Sequence, residues 1–183
     1  MLKTRVPSVV VALLLASAAA PVEAQEDHPI QISLVTPVQI VPEDEAVRGV
    51  RLNILYGRNT FMTGFDYGLV NHTMRDFLGV GLGVVNLTEG SATGLQWGGV
   101  NVTKGAFEGF QVGWVNTVGS GHGLQLGLVN HAPNYRGLQF GFVNYAERMN
   151  GVQVGFVNII REGGVLPVMP IVNWSLEEGS IPN

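Results

Sequence analysis

The side chains that could carry chemistry in this chain are few and widely separated. Its four histidines lie at positions 28, 72, 122 and 131, and no two have the spacing of a metal site. The acidic residues are scattered, and no pair suggests the matched carboxylates of a glycosidase. Cysteine is absent, which excludes disulfides, a thiolate nucleophile and thiolate-bound metals. The sequence therefore predicts a protein that is not an enzyme and that uses no metal or cofactor.

Two glycine-rich stretches, GVGLG at residues 79–83 and GSGHG at residues 119–123, superficially match a nucleotide-binding loop. A dinucleotide-binding turn must be followed directly by a helix within a β-α-β unit, and no helical periodicity follows either stretch. The net charge of −4 also gives no basic surface for nucleic acid. We therefore expect turn and strand glycines here, and no nucleic-acid partner.

The first 24 residues have the pattern of a secretory signal peptide. Lys3 and Arg5 precede an apolar stretch at residues 8–20, and small residues lead up to Ala24. This stretch is shorter than the ~20 residues that span a bilayer. We expect cleavage after Ala24 and export to the cell surface, periplasm or outer membrane. An exported chain without cysteine is typical of a bacterium.

Most of the remaining chain repeats one phrase, Gly-x-Gln-x-Gly-x-Val-Asn. With the first glycine as position 0, apolar residues at positions 1, 3 and 5 alternate with Gly, Gln and Gly at positions 0, 2 and 4. Alternation with a period of two predicts β-strands. The opening glycines are 14 or 15 residues apart and are Gly49, Gly64, Gly79, Gly94, Gly109, Gly123, Gly137 and Gly151.

These patterns divide the chain into four parts. They are a signal peptide at residues 1–24, an N-terminal extension with a capping strand at 25–47, a β-repeat domain at 48–175 and a C-terminal tail at 176–183. Pro37 precedes the repeats, and Pro167 and Pro170 interrupt the last one. Because proline blocks further strand pairing, both ends of the array are predicted to be capped.

Two all-β architectures fit strands that recur every 14–15 residues. A β-solenoid stacks the repeats in parallel, whereas an antiparallel up-and-down meander, open or closed into a small β-barrel, reverses direction at each repeat. Changing a hairpin loop by one residue turns the next strand over, yet the phrase is unchanged where the spacing drops from 15 to 14. Successive repeats are also alike, whereas an antiparallel meander would repeat as pairs of strands. The pattern favours the solenoid and leaves the meander or barrel as the alternative.

In a solenoid we expect the apolar positions 1, 3 and 5 to point inward, opposite positions 9 and −2 of the return segment. The glutamines at position 2 would then form an outward stripe. One interpretation is a hydrogen-bonded amide ladder; the other is a docking surface for a glycan, a cell-envelope polymer or another copy. The glutamines of this candidate stripe are Gln96, Gln111, Gln125, Gln139 and Gln153.

The repeated phrase, closed by LPVMPIVNW at residues 166–174, resembles the bacterial surface-repeat proteins first noted in leptospires. The likeness runs from Gly49 to about Trp174. It implies an exported, surface-associated bacterial protein, and it supplies no catalytic residues. Members can carry a lipid-modified cysteine, which this chain lacks. We therefore expect a non-enzymatic scaffold or binding surface at the cell envelope. The alternative is a small outer-membrane β-barrel, the one case in which a membrane is an expected partner.

Overall fold

A computed structural model describes residues 27–176, which contain no helix. The predicted signal peptide and most of the predicted tail lie outside this range. The described strands are β1 (Asp27–Val35), β2 (Val38–Gln39), β3 (Ala46–Asn59), β4 (Met62–Thr73), β5 (Phe77–Thr88), β6 (Ala92–Trp97), β7 (Val100–Val112), β8 (Val115–Glu162) and β9 (Val168–Ser175).

The repeats wind into a β-solenoid of about seven turns. From β3 to β8 neighbouring strands are parallel and in register, so that Gly64 lies beside Gly49 on one side and Gly79 on the other. The drop from 15 to 14 residues is absorbed in the turn between Thr103 and Ala106, where the pairing shifts once. The predicted solenoid is confirmed. The antiparallel arrangement is wrong, because a coil can shorten its outer turn without turning the next strand over.

Both ends of the stack depart from the repeat. At the N-terminal end β1 lies parallel to β3, and β2 folds back antiparallel on β1 after a cis Thr36–Pro37 bond. At the C-terminal end β9 runs antiparallel to β8. Pro170 lies within β9 and removes one backbone donor from this last strand. The terminal coils thus differ from those between them.

We call the part of each coil formed by positions 0 to 7 the main strand. Its side chains point in the directions opposite to those expected. Positions 1, 3 and 5 point outward, and Trp114 and Phe156 are 69% and 67% exposed. Positions 2 and 7 point inward, and Gln111 and Asn116 are fully buried. The prediction that the apolar side of this strand forms the core is therefore wrong. Positions 9 and −2, represented by Val118 and Phe107, are buried as expected.

The glycines at positions 0 and 4 explain this inversion. Gly109, at position 0, has a φ of 132°, and a Cβ there would lie 2.1 Å from the carbonyl oxygen of Gly94. At position 4, a Cβ on Gly113 would lie 2.7 Å from Nδ2 of Asn101. The inner side of the strand thus has no room for side chains at these positions. The amides of positions 2 and 7 fill that narrow space instead.

A smaller apolar core fills the other side of each coil. Its members come from positions −2 and 9 and include Met62, Phe77, Ala92, Phe107, Val118, Ala132, Tyr135, Ala146, Met149 and Ile160. Their sizes compensate between neighbours: a Cβ added to Gly121 would lie 2.5 Å from the ring of Tyr135. Because interiors are close-packed, a large side chain in one coil requires a small one beside it.

Tyr135 offers a test of this core. Its side chain is fully buried, its hydroxyl has no hydrogen-bond partner within residues 27–176, and burial raises its pKa. An unpaired buried hydroxyl costs its desolvation free energy, so Tyr135→Phe should raise the free energy of unfolding by about 1 kcal/mol. Urea denaturation measures this, with Tyr145→Phe on the partly exposed side as the control. A loss of stability in Tyr135→Phe would show that the hydroxyl is bonded.

Candidate binding surface and the amide ladders beneath it

The five glutamines of the predicted stripe lie inside the solenoid, and all are buried. Nε2 of Gln125 donates to Oε1 of Gln111 at 2.9 Å, and the same bond links the other neighbours at 2.7 Å. The glutamines therefore form a continuous amide ladder. They present no exposed stripe to a partner, because positions 0 and 4 leave the inner space to them.

A second amide ladder runs along position 7. From Asn71 to Asn144, each asparagine donates from Nδ2 to Oδ1 of the asparagine one coil later, at 2.8 or 2.9 Å. Asn53, at position 4 of the coil of Gly49, makes the same bond to Asn71 at 2.8 Å. Asn101 also donates to the carbonyl of Val112 at 3.0 Å, and most of the others have an equivalent bond. The glutamine ladder donates toward the N-terminal end, whereas the asparagine ladder donates toward the C-terminal end. Buried amides bonded in this way give the coils a polar but well-satisfied interior.

A buried ion pair replaces the glutamine ladder near its N-terminal end. Arg51 donates through Nη2 to Oδ2 of Asp66 at 2.6 Å and through Nε to Oδ1 at 2.9 Å. Its Nη groups also reach the hydroxyl of Thr73 at 3.1 Å and the carbonyl of His72 at 3.0 Å. Both charged side chains are buried. A bidentate pair with its other donors satisfied is a structural link between two coils.

Removing one member of this pair should destabilise the protein. The Asp66→Asn variant leaves the Arg51 guanidinium buried without its anion, and we expect it to lower the free energy of unfolding by about 3 kcal/mol. The double variant Arg51→Gln/Asp66→Gln replaces both charges with the residue of the later coils, and it should recover most of that loss. Urea denaturation compares the two. A double variant that is less stable than Asp66→Asn would show that the charges are needed for the fold.

His72 and Glu89 lie next to each other along the turn edge of neighbouring coils. Nδ1 of His72 is 2.7 Å from the hydroxyl of Tyr56, and its Nε2 is 3.3 Å from Oε1 of Glu89. Burial lowers the pKa of His72, an effect that the Glu89 charge opposes. A hydrogen bond from Lys104 is the main cause that lowers the pKa of Glu89. These side chains thus form one chain of contacts, from Tyr56 through His72 and Glu89 to Lys104.

Two other histidines within residues 27–176 make separate local contacts. His28 is paired with Glu45, and the ring of His131 stacks on Tyr145 at 5.1 Å between centroids. Across residues 27–176, no three His, Cys, Asp or Glu residues are grouped to hold a metal ion. In the same range, no helix has the length and apolar character to cross a membrane.

An apolar face covers the outside of the main strand. It consists of positions 1, 3 and 5 of successive coils, where no charged residue occurs from Gly64 to Asn158. Exposed apolar patches of this extent mark interaction surfaces in most proteins. The apolar face comprises Phe65, Tyr67, Leu69, Val80, Leu82, Val84, Leu95, Trp97, Phe110, Val112, Trp114, Leu124, Leu126, Leu128, Leu138, Phe140, Phe142, Val152, Val154 and Phe156.

The N-terminal half of the apolar face contains a groove of about 1040 Å³. It runs along the solenoid axis, because its lining comes from positions 3, 4 and 5 of successive coils. Its floor includes Gly98, where a Cβ would lie 2.3 Å from the carbonyl oxygen of Gly83. Its walls are Leu52, Tyr67, Leu82 and Trp97 on one side and Ile54, Leu69, Val84 and Trp114 on the other.

The C-terminal half of the same face carries a group of three exposed phenylalanines. The rings of Phe142 and Phe156 stack with 5.0 Å between centroids and an angle of 6°. Phe140, on the neighbouring row, is also exposed. We call these three phenylalanines the ridge. The groove and the ridge thus lie at opposite ends of one surface.

Charged side chains occupy the turns on the other side of the coil. Glu89 pairs with Lys104, and Arg148 lies 3.5 Å from Glu162, each pair linking neighbouring coils. Exposed pairs of this kind add little stability. Their position gives the solenoid one charged side and one apolar side.

Sequence reasoning identified the residues of the apolar face but assigned them to the interior. A signal for the true direction lies in how each position varies. Positions 2 and 7 repeat Gln and Asn in coil after coil, since an amide ladder needs identical partners. Position 5 ranges from Gly99 to Trp114, a change in volume that a close-packed interior column tolerates poorly.

Comparisons with protein-family models, with curated proteins and with solved structures found no match to this chain.

Proposed function

We propose that this chain is a non-enzymatic, exported bacterial protein that acts as a scaffold or binding surface at the cell envelope and associates through its apolar face. The apolar face carries this proposal. Monomeric soluble proteins rarely expose contiguous apolar patches beyond a few hundred Å². Here such a patch extends along every full coil of a rigid stack, with the charges kept on the opposite side.

Two further observations support the proposal. Residues 1–24 have the composition of a secretory signal, which favours export. Several polar groups that could react are engaged in structural contacts, as Arg51 is with Asp66 and as Glu89 is with Lys104.

Fractionation of bacteria that express the tagged full-length chain tests this function. The intact chain should be recovered with the cell envelope, and a deletion of residues 2–24 should leave it in the cytoplasm. The Trp97→Lys/Trp114→Lys variant should be exported but released into the soluble exported fraction. Thr93→Lys, which lies beside Glu108 outside the apolar face, is the matched control and should behave as the wild type. Intact chain that stays in the cytoplasm, or a double variant retained like the control, would contradict the proposal.

A further inference from the structure

We propose that a second copy of this chain covers the apolar face, in an antiparallel two-fold dimer in which the ridge of each copy fills the groove of the other. This inference rests on the proposed function, because it names the partner of the same surface. The dimer would place the charged sides outward in opposite directions, which suits a scaffold with two contact surfaces.

The first argument is the area of the face. Seven of its aromatic side chains are between 53% and 69% accessible and are Tyr67, Trp97, Phe110, Trp114, Phe140, Phe142 and Phe156. With about 150–250 Å² on each aromatic residue, they alone expose roughly 800 Å². A stable interface buries about 800 Å² on each partner. The face therefore has the area that a specific dimer needs even before its aliphatic side chains are included.

The second argument is self-complementary shape. A two-fold interface brings the same patch of both copies together, so a feature on one half must fit a different feature on the other half. The groove and the ridge meet this condition. When coils are counted inward from Gly49 and from Gly151, the coil of Leu69 in the groove wall meets the coil of Phe142 in the ridge.

The spacing of the coils strengthens this match. Side chains in both copies repeat at the strand separation of about 4.8 Å, so rows that interlock at one coil stay in step along the whole stack. The groove wall of one copy ends at Ile54, and the matching coil of the other copy carries Phe156. Each contact would thus occur twice in the dimer, once with each copy supplying the groove.

The chemistry of the groove argues against a peptide or a sugar as its occupant. Both bring hydrogen-bonding groups that side chains such as Leu82 and Val84 cannot satisfy, and burying such groups unpaired is costly. The hydrocarbon interior of a lipid bilayer is apolar but has no fixed order that would match the groove and the ridge. An identical copy supplies both the apolar character and the order.

Sedimentation velocity of the purified exported chain in detergent-free buffer tests for the dimer. We expect a concentration-dependent dimer, and Phe142→Lys should weaken it by at least about 30-fold, as for a hot-spot residue. Thr93→Lys is the control and should dimerise as the wild type does. Because residue 142 is exposed, circular dichroism of Phe142→Lys should match the wild type. A wild-type chain that stays monomeric at high concentration would overturn the proposal.

A substitution that fills the groove distinguishes a dimer formed by insertion of the ridge from non-specific hydrophobic association. Leu69→Trp adds apolar area to the face but occupies the part of the groove that Phe142 of the other copy must enter. We therefore expect Leu69→Trp to weaken the dimer at least about tenfold. An unchanged or tighter dimer would show that the ridge does not enter the groove.

Cysteine cross-linking tests the orientation, since the natural chain has no cysteine. A mixture of Leu69→Cys and Phe142→Cys chains should form mixed disulfides, whereas Phe142→Cys alone should not cross-link. Cross-links between two Phe142→Cys chains would reject the antiparallel arrangement. Monomers that float with phosphatidylethanolamine–phosphatidylglycerol vesicles would assign the face to lipid and reject the dimer. These experiments use purified protein, whereas the proposed function is tested by fractionation of cells. A result that rejects the dimer therefore leaves the proposed export and envelope retention standing.

Discussion

Gly109→Ala is expected to lower the free energy of unfolding by about 4 kcal/mol or more. Gly109 has a φ of 132°, a conformation that costs other residues about 1–3 kcal/mol. A Cβ at this position would also lie 2.1 Å from the carbonyl oxygen of Gly94 in the preceding coil. That carbonyl belongs to the backbone of the stack, so relieving the overlap moves one coil away from the next and adds a packing cost of about 1–3 kcal/mol.

Gly81→Ala is the matched control for this substitution. Gly81 is also on the inner side of a main strand but has no left-handed φ, and a Cβ there would lie 3.3 Å from the ring of Phe77 and from the amide of Asn86. Those neighbours are side chains that can shift slightly, so we expect a change within about 1 kcal/mol. Urea denaturation of both variants measures the difference. Equal losses would mean that the requirement for glycine at position 0 comes from something other than the backbone contact between coils.

Gln125→Glu is expected to destabilise the solenoid strongly at neutral pH and far less in acid. The side chain of Gln125 is fully buried between Gln111 and Gln139. A carboxylate there loses its hydration and also faces the acceptor oxygen of Gln111, at a cost of about 4 kcal/mol or more. The protonated acid, by contrast, can donate to Gln111 and accept from Gln139 as the amide does.

The direction of the pH dependence follows from this difference between the carboxylate and the protonated acid. Burial raises the pKa of the introduced carboxyl above its unfolded value of about 4.3, so the folded state binds the proton more tightly. The loss of stability is therefore smallest below that value and grows as the pH rises through the higher folded pKa. Urea denaturation of the variant and the wild type between pH 4 and pH 8 measures it. Gln125→Leu, which breaks the ladder without a charge, should show a loss that does not follow this trend.

A loss that is the same at every pH in Gln125→Glu would contradict this account. It would mean that the introduced carboxyl escapes to water, and hence that the ladder can open locally around Gln125. The comparison with Gln125→Leu then separates the loss of two amide hydrogen bonds from the burial of a charge.

The sequence was sufficient to predict the repeat and to favour the solenoid and its parallel pairing over the meander or barrel. The preference follows from the period of the phrase, because a stacked coil readily keeps residues such as Gly94 and Gly109 in register while the spacing changes. The inward side was not predictable from the alternation alone. Alternation separates the two faces of a strand, but it does not say which one meets the rest of the coil.

The choice between the faces depends on distances between coils. The carbonyl of Gly94 lies where a side chain of Gly109 would be, and the amide of Asn101 lies where a side chain of Gly113 would be. Such contacts join residues that are 12 to 15 positions apart. Without them, the general preference for burying apolar side chains decides the question wrongly for this chain.

The groove and the ridge were likewise beyond sequence reasoning. Both consist of apolar residues at the same two positions of the phrase, so Leu69 and Phe142 appear equivalent in the sequence. They differ in the structure because Gly99 interrupts the row near the groove, while the rings of Phe142 and Phe156 stack on each other.

The opposed directions of the two amide columns bear on how long such a rod can be. A single column of aligned amides would add its dipole at each coil, and opposite partial charges would accumulate at the two tips. Here the asparagine of a coil offsets its glutamine, as with Asn116 and Gln111. Gene duplication could therefore lengthen the array by whole coils without an electrostatic limit on its growth.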